Sequence, residues 1–227
     1  AIVLDSGSSA RTASIASQCG ATVHQTDWPG YGPQQQRGIQ LATSDWVLSL
    51  DADEVISEEL RHEIQKTITH AEFDGYKLPR SSSFCGVFIK HSGWRPDYTL
   101  RLVRRPLAGF TDHFLHAHMT VQGTIGHLSS PIIHYSYRSL DDVLEKLNRY
   151  SRGAAMDARN QGKSASLGKA LLKGFWSFFR TYFLKQGFRD GRMGLVLALY
   201  NSQTTYYKYL RLWLDEQLTA NTTKPKL

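Results

Sequence analysis

The 227-residue sequence predicts an α/β fold: a mainly parallel sheet flanked by helices, followed by a helical C-terminal extension. Three observations predict it. Short apolar runs alternate with helix-compatible segments at the start, short strands crowd the middle, and apolar residues recur at helical spacing from Ser139 onward. The expected organisation is one α/β domain over 1–138, a helical extension over 139–218 and an unstructured tail over 219–227.

The first βα unit is Ala1 to Leu4, apolar, then the polar turn Asp5-Ser6-Gly7-Ser8-Ser9, then a small-residue helix over 12–17. A second strand over 21–24 leads through Trp28, Pro29, Gly30, Gly32 and Pro33 to a helix over 34–42. Trp46-Val47-Leu48-Ser49-Leu50 reads as a central strand that stops at Asp51-Ala52-Asp53-Glu54. Ligands bind at such carboxyl ends in open α/β sheets. Ser57 is a capping residue for the next helix, with Glu58 and Glu59 in its first turn and Leu60, Ile64 and Ile68 on one face. Strands are then expected over 76–78, 84–89, 98–103 and 132–135. In the extension, Ser139 caps a helix whose stripe is Leu140, Val143, Leu144, Leu147 and Tyr150, and helices over 167–186 and 192–218 follow.

Hydrophobic residues at 41% and charged residues at 21% are ordinary for a folded domain. The formal charge of +7 favours a polyanionic partner: nucleic acid, an anionic membrane or a phosphorylated substrate. No nucleic-acid motif accompanies that charge, so nucleic acid ranks last. Cys19 and Cys85 are isolated, which argues against a disulfide framework or a zinc site and fits a reducing compartment. No run reaches the roughly 18 apolar residues of a spanning helix, so membrane contact is expected to be peripheral.

Asp51 and Asp53 stand one small residue apart at a strand end, where both carboxylates can face one hard divalent cation, Mg²⁺ or Mn²⁺. Such an ion holds a diphosphate and offsets the charge that develops as it leaves. The same residues also make a serviceable polar turn ahead of the next helix. A second acidic turn at Asp5 favours the chemical reading, because it follows another apolar strand.

VLDSGSSARTASIA together with DWVLSLDADEVISEEL resembles the family-2 glycosyltransferases of the GT-A fold. Within them the chain most resembles the lipopolysaccharide-core glucosyltransferases, and the likeness runs on through GWRPDYTLRLVRR, the His116 region and KQGFRDGRMGLVLALY. The resemblance implies an inverting enzyme that moves a sugar, glucose by analogy, from a nucleotide donor of UDP-sugar type to a lipopolysaccharide-core or related lipid-linked glycan. It places Asp5, with Gly7 and Ser8 of the same turn, at the nucleotide, Asp51 at ribose and diphosphate, and Asp51 with Asp53 at the metal. It also implies a cytoplasmic protein, peripheral on the inner face of the bacterial inner membrane.

Three departures carry expectations of their own. Family members open with a strand and a Thr-Tyr-Asn-Glu-like segment that nothing here matches, so the chain is expected to begin inside the family's fold. Relatives carry Lys-Asn where Gln35-Gln36 stands, which would weaken a phosphate or nucleotide contact. Relatives read Val-His-Glu where this chain has Leu115-His116-Ala117, so the carboxylate expected to serve as base is absent. Asp97 or Asp112 could replace it. Asp97 follows Pro96 and equally suits a turn; His116 is retained as a second candidate catalytic residue. His113, His116 and His118 fit no standard zinc spacing and more simply serve structural hydrogen bonds.

Lys169, Lys173, Arg180 and Lys185 are interleaved with Phe175, Trp176, Phe178, Phe179, Tyr182 and Phe183, as in a helix that lies on an anionic membrane surface. The competing expectation is that these aromatics pack against the catalytic domain. The alternative to an active enzyme is a catalytically impaired glycan- or membrane-binding relative.

Overall fold

The computed structural model describes residues 1–8, 10–111 and 117–222. The chain forms two compact units: Ala1–Arg80 with Tyr98–Ile133, and Ser81–Asp97 with everything from His134 onward.

The first unit carries the βα pattern. Strand β1 (Ile2–Asp5) leads to α1 (Ala10–Gln18), β2 (Thr22–Gln25), α2 (Tyr31–Leu41) and β3 (Trp46–Leu48). A short β4 (Glu54–Ile56) follows the acidic turn, then α3 (Glu58–Thr69) and the long β5 (Gly75–Phe84), which crosses into the second unit. As expected, Ser57 caps α3: its Oγ accepts from the Leu60 amide at 3.1 Å, and Leu60 is fully buried. After β6 (Val87–Phe88) come β7 (Tyr98–Arg104), β8 (Ala108–Phe110), β9 (Met119–Val121), β10 (Ile125–His127) and β11 (Ile132–Tyr137).

The α/β class holds, with mixed strand pairing. β1 and β2 form a parallel ladder with Leu4 opposite His24. β3 and β5 both run antiparallel to β7, with Val47 and Gly75 opposite Val103, while β10 joins β5 in parallel. The sheet order is β3-β7-β5-β11-β4. The unit's main core is Leu60, Tyr76, Leu78, Leu102, Leu128 and Ile132, with Trp46 and Leu48 against it. Tyr76 and Leu78 of β5 and Leu102 of β7 therefore face inward, with β3 half-buried beside them.

The expected strand over 84–89 is instead a hairpin. Cys85 and Gly86 turn the chain with φ of 47° and 82°, so β5 pairs antiparallel with β6. A two-residue turn of this kind needs positive φ at both positions, and Gly86 supplies one at no steric cost.

The second unit continues with α4 (Leu140–Asn160), α5 (Leu167–Phe179), a π turn over Arg180–Leu184, a 3₁₀ turn over Gly187–Asp190 and α6 (Gly191–Thr222). Ser139 caps α4 as expected, accepting from the Asp142 amide at 3.2 Å. The expected stripe is only partly right. Val143 and Leu147 are buried, but Leu140, Leu144 and Tyr150 are exposed, and the buried line continues through Ser151, Ala155 and Ala158. Small residues occupy that line because α4 lies against α6 there, with Arg211 of α6 donating to Ser151 Oγ and Asn148 Oδ1. Helix α6 runs through Thr222, into the segment expected as an unstructured tail, since neither Gly nor Pro interrupts it before Pro225. The core of this unit is Phe84, Ile89, Tyr137, Val143, Leu147, Leu197 and Tyr200. Burial raises the pKa of both Tyr137 and Tyr200, whose hydroxyls meet at 2.9 Å.

Candidate active site

Two acidic strand ends of the first unit converge on the opening turn of α2. Asp5 closes β1 and is buried, and its Oδ1 accepts from the Ser8 amide at 3.1 Å, folding Gly7 and Ser8 back over the strand end. Gly7, at φ 95°, makes that reversal without strain. From α2, the Gln34 amide donates to Ser6 Oγ at 2.8 Å and to Thr26 Oγ1 at 2.6 Å, tying together the ends of β1 and β2. The next residue, Gln35, accepts from Ser49 Oγ at 3.1 Å and donates to Asp51 Oδ1 at 3.5 Å. Consecutive glutamines thus hold the Asp5 turn and the Asp51 turn to one helix start.

Gly32 lets the helix reach its seat. A β-carbon there would stand 2.2 Å from the Thr111 carbonyl oxygen, so no other residue fits without a backbone shift. The same built position lies 3.4 Å from the Ala117 methyl, which places residue 117 beside α2 as well. Thr111 and His118 pair through Thr111 N to His118 O at 3.1 Å and His118 N to Thr111 Oγ1 at 3.0 Å. Asp112, His113 and His116 lie outside the described residues.

The acidic turn is braced from behind. Glu54, whose side chain is fully buried, accepts from the Asp51 amide at 3.0 Å and pairs with Arg101 at 2.7 Å and Arg80 at 3.7 Å. Arg101 reaches on to Asp51 Oδ2 at 2.5 Å. Burial opposes the charge of Arg101, yet Asp51 and Glu54 hold its pKa above the ordinary guanidinium value. A buried carboxylate without such partners would be heavily penalised.

Asp51 is 44% exposed at its side chain, and Asp53, two residues later, is half-buried. These hard oxygens fit part of a Mg²⁺ or Mn²⁺ shell. Mg²⁺ in particular takes one or two carboxylates and completes its six positions with phosphate oxygens and water. Among the described residues no group of three or more His, Cys, Asp or Glu side chains gathers to hold an ion without such help.

Asp97 belongs to the second unit, in the segment between β6 and β7. Asp190 accepts from the Lys90 amide at 3.0 Å, from the His91 amide at 3.0 Å and from Ser92 Oγ at 2.8 Å. Trp94 stacks on Tyr137 with centroids 6.0 Å apart, and Arg95 donates to Ser81 Oγ.

The sequence reading missed Arg101, Glu54 and Gln34. Arg101 sits in the alternating run Tyr98-Thr99-Leu100-Arg101-Leu102, and a charge between two leucines on a buried strand was the available signal. Gln34 carried none, since its partners lie at the ends of two other strands.

Comparison with known proteins identifies the family. The family described as "Glycosyl transferase family 2" matches residues 1–127. An uncharacterized glycosyltransferase of Rickettsia felis is 30% identical over 227 residues, covering 93% of this chain and 78% of its own. The lipopolysaccharide core biosynthesis glycosyltransferase LpsC of Rhizobium meliloti is 23% identical, covering 96% and 84%. Among solved structures, Staphylococcus aureus TarS 1–349, crystallised with UDP-GlcNAc, aligns with 96% of this chain and 82% of its own at 14% identity and a TM-score of 0.45. The chain belongs to glycosyl transferase family 2. It is a glycosyltransferase with an α/β fold.

Proposed function

We propose that the chain moves a sugar, glucose or a close analogue, from a UDP-linked donor to a lipopolysaccharide-core or related lipid-linked glycan, with inversion at the anomeric carbon. The observation that supports this most is the gathering of the Asp5 and Asp51 turns on Gln34 and Gln35 of α2. Two strand ends at one helix start form a polar cleft edge of the kind that binds nucleotides in α/β sheets. The likeness to LpsC supports the acceptor class.

In this reading Asp5 holds the nucleoside through the turn it forms with Gly7 and Ser8, and Asp51 faces ribose and diphosphate. Asp51 and Asp53 would hold Mg²⁺ or Mn²⁺, which when bound supplies positive charge against the departing diphosphate. Arg101 and Glu54 keep the Asp51 turn from relaxing toward solvent. An acceptor oxygen bonds to the anomeric carbon from the face opposite the diphosphate, and the bond to the phosphate oxygen breaks, its electron pair leaving with UDP. The hydroxyl proton passes to a general base, a role assigned to the carboxylate of Asp97, with the imidazole of His116 as the second candidate. The setting is the cytoplasmic face of the bacterial inner membrane, where lipid-linked acceptors are found.

The test is product analysis by NMR after incubating the full-length protein with UDP-glucose, Mn²⁺ and a lipopolysaccharide-core acceptor. An inverted glycosidic bond is expected. Retention of configuration would overturn the mechanism. Glycan binding without donor turnover would favour a noncatalytic relative.

A further inference from the structure

The α5–α6 hairpin is built inside out. At 3.6 residues per turn, positions 170, 174, 177 and 181 share one side of the α5 helix and its π-turn continuation. They carry Ala170, Gly174, Ser177 and Thr181, and this side faces α6. A β-carbon on Gly174 would lie 3.0 Å from Tyr206 Cβ, so the backbones approach closely. The contact is polar: Ser202 Oγ donates to the Gly174 carbonyl at 2.9 Å, Ser177 Oγ to the Asn201 carbonyl at 3.1 Å, and Thr205 Oγ1 to Ser177 Oγ at 3.1 Å.

The opposite side carries Leu171, Leu172, Phe175, Trp176, Phe179 and Phe183, all exposed, with Leu172 and Phe175 at 66% and 67%. A helix folding in water does the reverse. Small and hydroxyl residues between helices, with large apolar ones outward, is how helices pack when lipid covers the outside.

Charge identifies the covering medium. Between Asp157 and Asp190 the chain has seven Lys or Arg residues and no Asp or Glu. The remainder therefore holds 20 cations against 20 anions, and the protein's whole excess of +7 falls in this stretch. Lys169, Lys173, Arg180, Lys185 and Arg189 are all exposed, and the first three border the apolar side. No helix among the described residues is long and apolar enough to cross a membrane.

We infer that the outward side of α5 and its continuation to Phe183 docks into the headgroup region of an anionic lipid bilayer, lying in the plane, with its bordering cations on lipid phosphates. This deepens the membrane-surface reading above and rests on it, but needs neither the donor nor the acceptor.

Purified protein is sedimented with vesicles of phosphatidylcholine alone and with about 30% phosphatidylglycerol, free of glycan acceptor and nucleotide, so failure here leaves the transferase reading untouched. Binding is expected to the anionic vesicles, weakened by high salt. The pair Leu172→Ser and Phe175→Ser should lower partitioning roughly tenfold or more, with helix content and melting temperature unchanged. Lys173→Gln with Arg180→Gln should lower it less and remove most of the salt dependence. Absence of binding by the wild type overturns the inference. So does a concentration-dependent dimer, seen by analytical ultracentrifugation, that the serine pair dissociates, because the side would then belong to a second copy.

Discussion

The acidic-turn region and the α5–α6 hairpin solve burial in opposite ways. Around Asp51 the apolar side chains of the core point inward, and the buried carboxylate of Glu54 is held by Arg101 and Arg80. In the hairpin the interior is Ala170, Gly174, Ser177 and Thr181, and the leucines and aromatics point out. The contrast teaches that the two regions are fitted to different surroundings. In the proposals above, the first is completed by water and a polar ligand, the second by an apolar medium with negative charge at its edge.

Substitutions should separate the two regions sharply. The largest effect is expected for Arg101→Met, which leaves the buried Glu54 with the longer contact to Arg80, beside the Asp51 amide, and should cost about 3–5 kcal/mol. Chemical denaturation would measure it, and a loss under 1 kcal/mol would mean that the pair does not brace the turn. Gly174→Leu should follow at about 1–3 kcal/mol, since the new side chain would meet Tyr206 where α5 and α6 approach closely. Leu172→Ser, a change that would be severe in the first unit's core, should stay within about 0.5 kcal/mol in water. A large destabilisation there would show that the outward side is covered by the protein itself.

The smallest effect concerns acid stability. Burial works against the charge of Glu63, but hydrogen bonds from the Ser129 and Ser130 amides and the Ser129 hydroxyl bring its pKa below the ordinary value. Its contribution is therefore complete above the unfolded carboxylate pKa of about 4.3 and is lost as pH falls through the lower, folded value. Glu63→Gln should flatten that part of the stability-versus-pH curve while leaving the slope near pH 7 unchanged.

Much of the first unit was legible because its signals are local. Ser57 announces a cap, and Trp46 to Leu50 announces a strand ahead of Asp51-Ala52-Asp53. The expected central strand is instead the short, half-buried β3, which ends the sheet order and runs antiparallel to β7, because its place depends on pairings far along the chain. The role of Arg101 was not legible, because its partners lie 50 and 47 residues away and only the strand pairing brings them together. The stripe on α4 was misjudged for a related reason. Leucine at helical spacing predicts a buried face, but close packing against α6 selects Ser151, Ala155 and Ala158 instead. The basic aromatic segment was recognisable by composition, whereas which of its sides faces outward depended on seeing Gly174 against Ser202 and Tyr206.

The central claim is that Asp53 works at the donor diphosphate, and donor turnover in an Asp53→Asn variant tests it most directly. The full-length protein would be assayed with UDP-glucose, Mn²⁺ and acceptor, alongside its melting curve. Asp53 lies in the turn ahead of β4 and is only half-buried, so the fold should survive the change. Losing one carboxylate from the proposed metal site should remove several kcal/mol of transition-state stabilisation, about 10²-fold or more in turnover, with the melting temperature unchanged. Wild-type turnover in the variant would contradict the account.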